Sequence, residues 1–333
     1  MTAVKPERSS GTPVASGSTQ QYYDTLRTLS QASVDQHFDA FKDIDWDGDD
    51  LRVRPGDERW ILSEVDEIGA HPWYQALPRE RQIEIGMYRW AQVAKVGLQF
   101  EQLLIAGVMN HLMWSRNDNP EFRYATHEVT EETHHTQMFQ EFVNRVCPDA
   151  CGAPTLFKVL VPVLASAGAW FPEAFFVGIL AGEEPIDHLQ KGAMRAGGSH
   201  PAANRIMQIH IAEEARHIGF AHQYLEHNVP RLGPVKRRVL AYVFPLVMRG
   251  LCDVIMVPSK RARRDMGIPA DVAKDIWWDS PQSRKLLRDL FADVRMLADN
   301  LGIRTRSTRL LWRAMRIDGR PARFRSEPAS AAH

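Results

Sequence analysis

One spacing constrains this chain more than any other. Glu101 precedes Glu132 by 31 residues and Glu183 precedes Glu214 by the same 31, and a histidine stands three positions after each second glutamate: His135 in the run EETHH, His217 in the run EEARH. On a helix, residues three apart share a face, so each pair can turn one oxygen and one nitrogen toward the same ion. One such pair arises easily by chance, but the whole pattern occurring twice does not. The register also resolves two ambiguities. Glu131 with His134 has the right internal spacing, yet only Glu132 and His135 match the second copy, and the same rule prefers Glu183 to Glu184.

Two residues on facing helices come level only when the turn lies midway between them. The midpoint of the first copy falls between Ser115 and Pro120 and that of the second between Ala196 and Pro201, both stretches rich in turn-forming residues. At ~1.5 Å of rise per residue, each ligand position then sits roughly 23 Å from its turn, deep within a helical hairpin. Two such hairpins packed together make a four-helix bundle with a central site.

The neighbours of Glu101 and Glu183 are largely apolar, as in Leu103-Leu-Ile-Ala106 and Phe175-Phe-Val-Gly-Ile-Leu. An ionised carboxylate buried there needs a cation. Four glutamates carry four negative charges, which two divalent ions balance. Four inward carboxylates with two Glu-x-x-His histidines form the ligand set of ferritin-like di-iron and di-manganese bundles, whereas zinc favours fewer, softer, tetrahedral ligands.

The rest of the chain agrees with an all-α class. Helical periodicity runs from about residue 20 onward and strand-like alternation is scarce. The expected helices cover 20–43, 79–114, 120–146, 155–196 with a break near Pro172, 201–228, 232–258 and 281–300. The expected organisation is a disordered leader over 1–19, one ferritin-like helical domain with additional flanking helices over 20–302, and a basic, partly flexible C-terminal segment over 303–333. With 333 residues and 44% hydrophobic content, a substantial core is available.

Basic and acidic residues number 41 each, so no global field attracts nucleic acid or anionic lipid. Cys147, Cys151 and Cys252 are too few and unevenly spaced for a disulfide framework, which suits a cytoplasmic protein. The apolar stretch from Val159 to Gly182 is interrupted by Pro162, Pro172 and Glu173 and reads as buried core, so no membrane span is expected. Asp43, Asp45, Asp47 and Gly48 imitate the start of a calcium loop, but Arg54 stands where a bidentate glutamate belongs. The arginines after Gly302 read as a solvated helix and tail.

The run IHIAEEARHIGF adds a third histidine. His210, Glu214 and His217 stand at i, i+4 and i+7 on one helical stripe. In this run and across residues 98 to 220, the chain resembles the para-aminobenzoate N-oxygenase family of di-iron oxygenases, which act on arylamines. The resemblance implies a centre of two iron ions, the same ligands also suiting manganese, held by Glu101, Glu132, His135, Glu183, His210, Glu214 and His217. Glu132 and Glu214 would bridge, Glu101 and His135 would complete one iron, and Glu183, His210 and His217 the other. It further implies a small-molecule amine and O2 as substrates and an external electron donor, a ferredoxin or flavoprotein reductase. A homodimer is compatible with this class.

Glu128 departs from the pattern, holding in the first copy the place of His210 in the second. An extra inward carboxylate would upset the charge balance unless protonated, so a supporting or solvent-facing role is expected. Val93, Lys95, Val96 and Gln99 precede Glu101 by one to two turns, and some of them are expected at a substrate cavity, with Trp170, Phe171, Phe175 and Phe176 as candidate walls. Two other readings fit the doubled motif: a desaturase or hydroxylase of acyl chains, which a long apolar channel would favour, and a ferritin-like protein that oxidises iron.

Overall fold

The computed structural model describes residues 16–325, and the expected leader lies almost wholly outside them. The described residues form helices joined by turns, with no strand among them. In chain order the helices are α1 (Ser16–Asp35), α2 (Pro72–Gln75), α3 (Arg79–Leu112), α4 (Pro120–Val146), α5 (Thr155–Trp170), α6 (Pro172–Ala196), α7 (Pro201–Asn228), α8 (Pro234–Met256), α9 (Lys260–Asp265), α10 (Ala270–Lys274), α11 (Pro281–Leu290), α12 (Ala292–Asn300) and α13 (Thr308–Ala314).

The four helices that carry the doubled motif form the central bundle. α3 pairs with α4 and α6 with α7, and the two hairpins meet through α4 against α7 and α3 against α6. Both connections have the expected chemistry. Asn119 caps α4 by accepting from the Glu121 N–H, with Pro120 in the first turn, and Asp118 supplies a positive φ of 66°. Before α7, Gly197 and Gly198 turn the chain at φ 69° and 82°, and His200 caps the helix through Nδ1, which accepts from the Ala202 N–H.

Three further helices dress the bundle. α1 lies across α4 and α7, α5 packs on α3, and α8 packs on α6. α5 comes very close to α3: a Cβ on Gly168 would stand 2.0 Å from the carbonyl oxygen of Gly107. The 155–196 stretch breaks where expected, since Pro172 begins a new helix after Phe171. Its apolar character comes from burial, with Phe175, Phe176, Val177, Ile179 and Leu180 in the main core. The stretch Pro234–Asp265 is by length and composition apolar enough to cross a membrane. On one face of α8, Leu240, Phe244, Met248 and Cys252 are fully buried against the bundle.

Two expectations need correction. The first helix ends at Asp35 rather than near residue 43 because polar groups there satisfy the backbone differently. Asp39 accepts from the Phe41 and Lys42 N–H groups, and the Phe38 N–H donates to Glu213 inside the bundle. The 281–300 stretch is two helices that meet at the buried Phe291. As far as residue 325 the basic C-terminal segment packs its apolar residues on the bundle, where Trp312 stacks on Phe244 at 5.6 Å and Ile317 is fully buried, while most of its arginines are exposed. Arg304, Arg309 and Arg313 all pair with Asp318.

Candidate metal centre

Because a residue and its fourth neighbour along a helix point the same way, each bundle helix turns its polar groups to one face, toward the core. Glu101 comes from α3, Glu132 and His135 from α4, Glu183 from α6, and His210, Glu214 and His217 from α7; all seven are buried. They gather into two clusters that share Glu214. In one, donor atoms of Glu101, His135, His210 and Glu214 lie within 4.8 Å of each other; in the other, those of Glu132, Glu183, Glu214 and His217 do.

Nδ1 of His135 pairs with Oε2 of Glu132 at 3.0 Å, but other donor atoms face common points rather than each other. Oε1 of Glu214 is 3.4 Å from Nδ1 of His135, Nε2 of His210 and Nδ1 of His217, yet it makes no hydrogen bond. Nδ1 of His217 stands 2.8 Å from Oε1 of Glu132, and neither atom has a hydrogen-bond partner. Both carboxylate oxygens of Glu183 are likewise buried and unpartnered. Orphaned acceptors at this density are costly unless a cation completes them, so the residues present fit a pair of metal ions.

The electrostatics make the same demand. Burial, followed by the charges of Glu132 and Glu214, holds Glu101 well above the usual carboxylate range, and burial with Glu214 does the same to Glu183. Burial opposes charge on His135 and His217, but the surrounding glutamates outweigh it and raise both. Protons on these groups offset the carboxylate charge that divalent ions would otherwise balance. His210 differs: burial lowers it to about 4, so it stays neutral with Nε2 directed at the first cluster.

An outer layer fixes the imidazoles. Oε2 of Glu213 accepts from Nε2 of His135 at 2.8 Å, and Oε2 of Glu131 accepts from Nε2 of His217 at 2.8 Å. A carboxylate only accepts, so each Nε2 carries a proton and Nδ1 is the ring atom turned to the clusters, that of His135 lying 3.0 Å from Oε2 of Glu132. Arg216 lies between these carboxylates, 2.9 Å from Glu131 and 3.6 Å from Glu213. Gln190 accepts from Nδ1 of His210 at 3.0 Å, which leaves Nε2 of that ring for the cluster.

Residues 19–302 match the family model described as p-aminobenzoate N-oxygenase AurF. The chain belongs to the AurF family. An uncharacterized protein of Mycobacterium tuberculosis (strain CDC 1551 / Oshkosh) is 52% identical to it over 309 residues, covering 92% of this chain and 91% of the relative. Uncharacterized proteins of Mycobacterium bovis (strain ATCC BAA-935 / AF2122/97) and M. tuberculosis (strain ATCC 25618 / H37Rv) are each 51% identical over the same shares. With the family shown, the bundle is ferritin-like, and the two clusters are consistent with a dinuclear metal site.

Within this AurF-family bundle one grouping of donor atoms differs from the expected one. His210 joins Glu101 and His135, not Glu183 and His217. Two turns separate His210 from His217, ~10 Å along the axis, and the ring of His210 lies 4.9 Å from that of His135 and 5.2 Å from that of Phe139. Glu184, the rejected neighbour of Glu183, turns away and pairs with His222 at 2.5 Å. Glu128 is fully buried with both oxygens unpartnered, so the solvent-facing option fails. Burial pushes it up to about 8, which keeps it neutral.

Glu131, Glu213, Arg216 and Gln190 were not legible as support residues. A signal for the first two does exist, since a Glu-Glu doublet precedes the histidine in both copies.

Above the first cluster lies a cavity of about 410 Å³. Glu101, Glu183 and His210 reach its floor, and Trp170, Phe171 and Phe175 wall it as expected, whereas Phe176 stacks on Tyr224 at 3.9 Å instead. Of the four residues before Glu101, Val93 alone lines it. Gln99 accepts from the Ala153 N–H and Lys95 donates to Gln140.

Proposed function

We propose that this protein is an oxygen-activating di-iron enzyme that oxidises the nitrogen of an amine. Seven residues would hold the irons: Glu101, His135 and His210 on one side, Glu183 and His217 on the other, with Glu132 and Glu214 between them. The observation that carries the reading is His210. Its Nε2 lies 3.4 Å from both Glu101 and Glu214 at the cavity floor, where a third imidazole gives one metal a nitrogen donor that its neighbour lacks. When bound, the two irons supply the electrons and Lewis acidity that activate O2.

The chain supplies the rest. Glu213 and Glu131 keep the Nδ1 atoms of His135 and His217 aimed inward, and Gln190 does the same for Nε2 of His210. Arg216 offsets one charge of the two outer carboxylates and none of the inner four, which still require cations. The apolar wall excludes water from the reacting atoms and holds the amine above His210. Turnover from the oxidised centre takes two electrons from outside, for which a ferredoxin or flavoprotein is the proposed donor.

A second reading, oxidation of an aliphatic chain, draws support from the apolar cavity. Metal analysis, O2 consumption by the reduced protein and product analysis with paired amine and acyl substrates separate the two. About two irons per chain and an N-oxygenated product support the proposal. One zinc per chain in active protein would sink it, and desaturated or hydroxylated acyl products without amine products would transfer the assignment to the second reading.

A further inference from the structure

The lining of the cavity contains more information than the metal ligands do. Apart from Glu101, Glu183 and His210 on the floor, its polar side-chain groups are the amide of Gln190 and the indole nitrogens of Trp90 and Trp170. Nε1 of Trp170 is already used, donating to Ser166 at 3.1 Å. Among the described residues, none that lines the cavity is a lysine or arginine.

The opening has the same character. Val163 and Trp170 on α5 and Val239 on α8 line the cavity and are also 61%, 61% and 45% exposed, so the way in runs between these two helices over apolar surface. The cation near this mouth is Lys236, 5.9 Å from the centroid of the Phe171 ring and exposed at the rim.

A small aromatic acid meets a physical conflict here. With its amine above His210, its carboxylate would be held inside by the rigid ring, among aliphatic side chains and with no cation to pair it. A negative charge would also approach the floor carboxylates. Desolvating an unpaired carboxylate costs far more than an aromatic ring gains by burial.

Resting on the oxygenase reading above, we propose that the substrate is a neutral, lipophilic molecule, its uncharged body filling the α5–α8 cavity and any charged group remaining outside the mouth. The cavity volume suits a body larger than a single ring, within the range of small-molecule sites. Gln190 is the polar group beside His210 that such a substrate meets.

Calorimetric titration of the oxidised, metal-loaded protein with two arylamines tests this without turnover. 4-Butylaniline is neutral and 4-aminobenzoate is anionic at pH 7.5, and both present the same amine. The expected result is at least about 100-fold tighter binding of 4-butylaniline. Gly178→Leu provides the location, because a Cβ at this position meets Leu251 at an ordinary 3.5 Å and a longer chain crosses the cavity. This variant should lose 4-butylaniline binding while keeping its metals.

Equal or tighter binding of 4-aminobenzoate overturns the substrate class, as does absence of binding by either compound or unchanged binding in Gly178→Leu. Those outcomes leave the oxygenase reading standing. Its own failure would appear separately, as no O2 consumption by reduced protein that still binds 4-butylaniline.

Discussion

Glu131 on α4 holds Nε2 of His217 on α7 at 2.8 Å, and the mirror contact, Glu213 on α7 to His135 on α4, has the same length. Each hairpin therefore orients the metal-facing histidine of the other. Glu131→Ala or Glu213→Ala should weaken metal binding by roughly 10- to 100-fold with the fold retained. Competition with a chelator, read by metal analysis, measures it. Affinity equal to the parent would remove the orienting role.

His210→Ala should keep the fold and much of the metal, since six of the seven cluster residues remain. Oxygen consumption by the reduced variant should fall by at least about tenfold, the effect of losing one metal donor. A variant with full turnover would return His210 to the status of an ordinary core histidine.

Glu128→Gln replaces a buried carboxyl that stays neutral up to about pH 8 by a neutral side chain of the same shape. The expected outcome is full metal content and unchanged or higher thermal stability. Glu132→Gln, tested beside it, should lose metal. If both variants lose metal alike, Glu128 belongs among the ligands.

His200 caps α7 through an unprotonated Nδ1 and stacks on Trp60 at 4.2 Å, and burial lowers its tendency to take a proton. The unfolded chain binds that proton near pH 6.5, whereas the folded chain resists it. The contribution of His200 is therefore intact above pH 6.5 and declines as the pH falls below it. Denaturation midpoints at pH 7.5 and 5.5 should differ more for the parent than for His200→Asn, which caps without titrating. An equal difference in both would exclude this group as a source.

Gly168→Ala places a methyl group where the carbonyl of Gly107 already sits. α5 must then move off α3, at a cost of about 1–3 kcal/mol or more, measurable by chemical denaturation. An unchanged midpoint would show that the two helices separate freely.

The bundle was readable because its determinants are local and periodic. The recurrence of Glu, 31 residues, Glu and His, with a turn sequence midway, specifies two hairpins whose ligands lie level. The outer layer escaped because Glu131 and Glu132 look alike in a string of letters. Only the rotation of α4 against α7 decides which carboxylate faces the centre and which faces the opposing histidine. The end of α1 escaped for a similar reason, since the residue that captures the Phe38 N–H lies 175 positions away. The character of the cavity depends on how α5 and α8 cover the bundle, and helical periodicity does not specify which faces of separate helices meet.

The crossed contacts between Glu131 and His217 and between Glu213 and His135 make the two hairpins obligate complements. A fragment carrying residues 79–146 would hold two carboxylates and a histidine with no outer partner for its ring, and a fragment carrying residues 172–228 would lack the outer partner of His217 while Gln190 still held His210. Tight metal uptake is thereby a property of the docked pair, and in a chain split between the hairpins the recovery of bound metal would report reassembly.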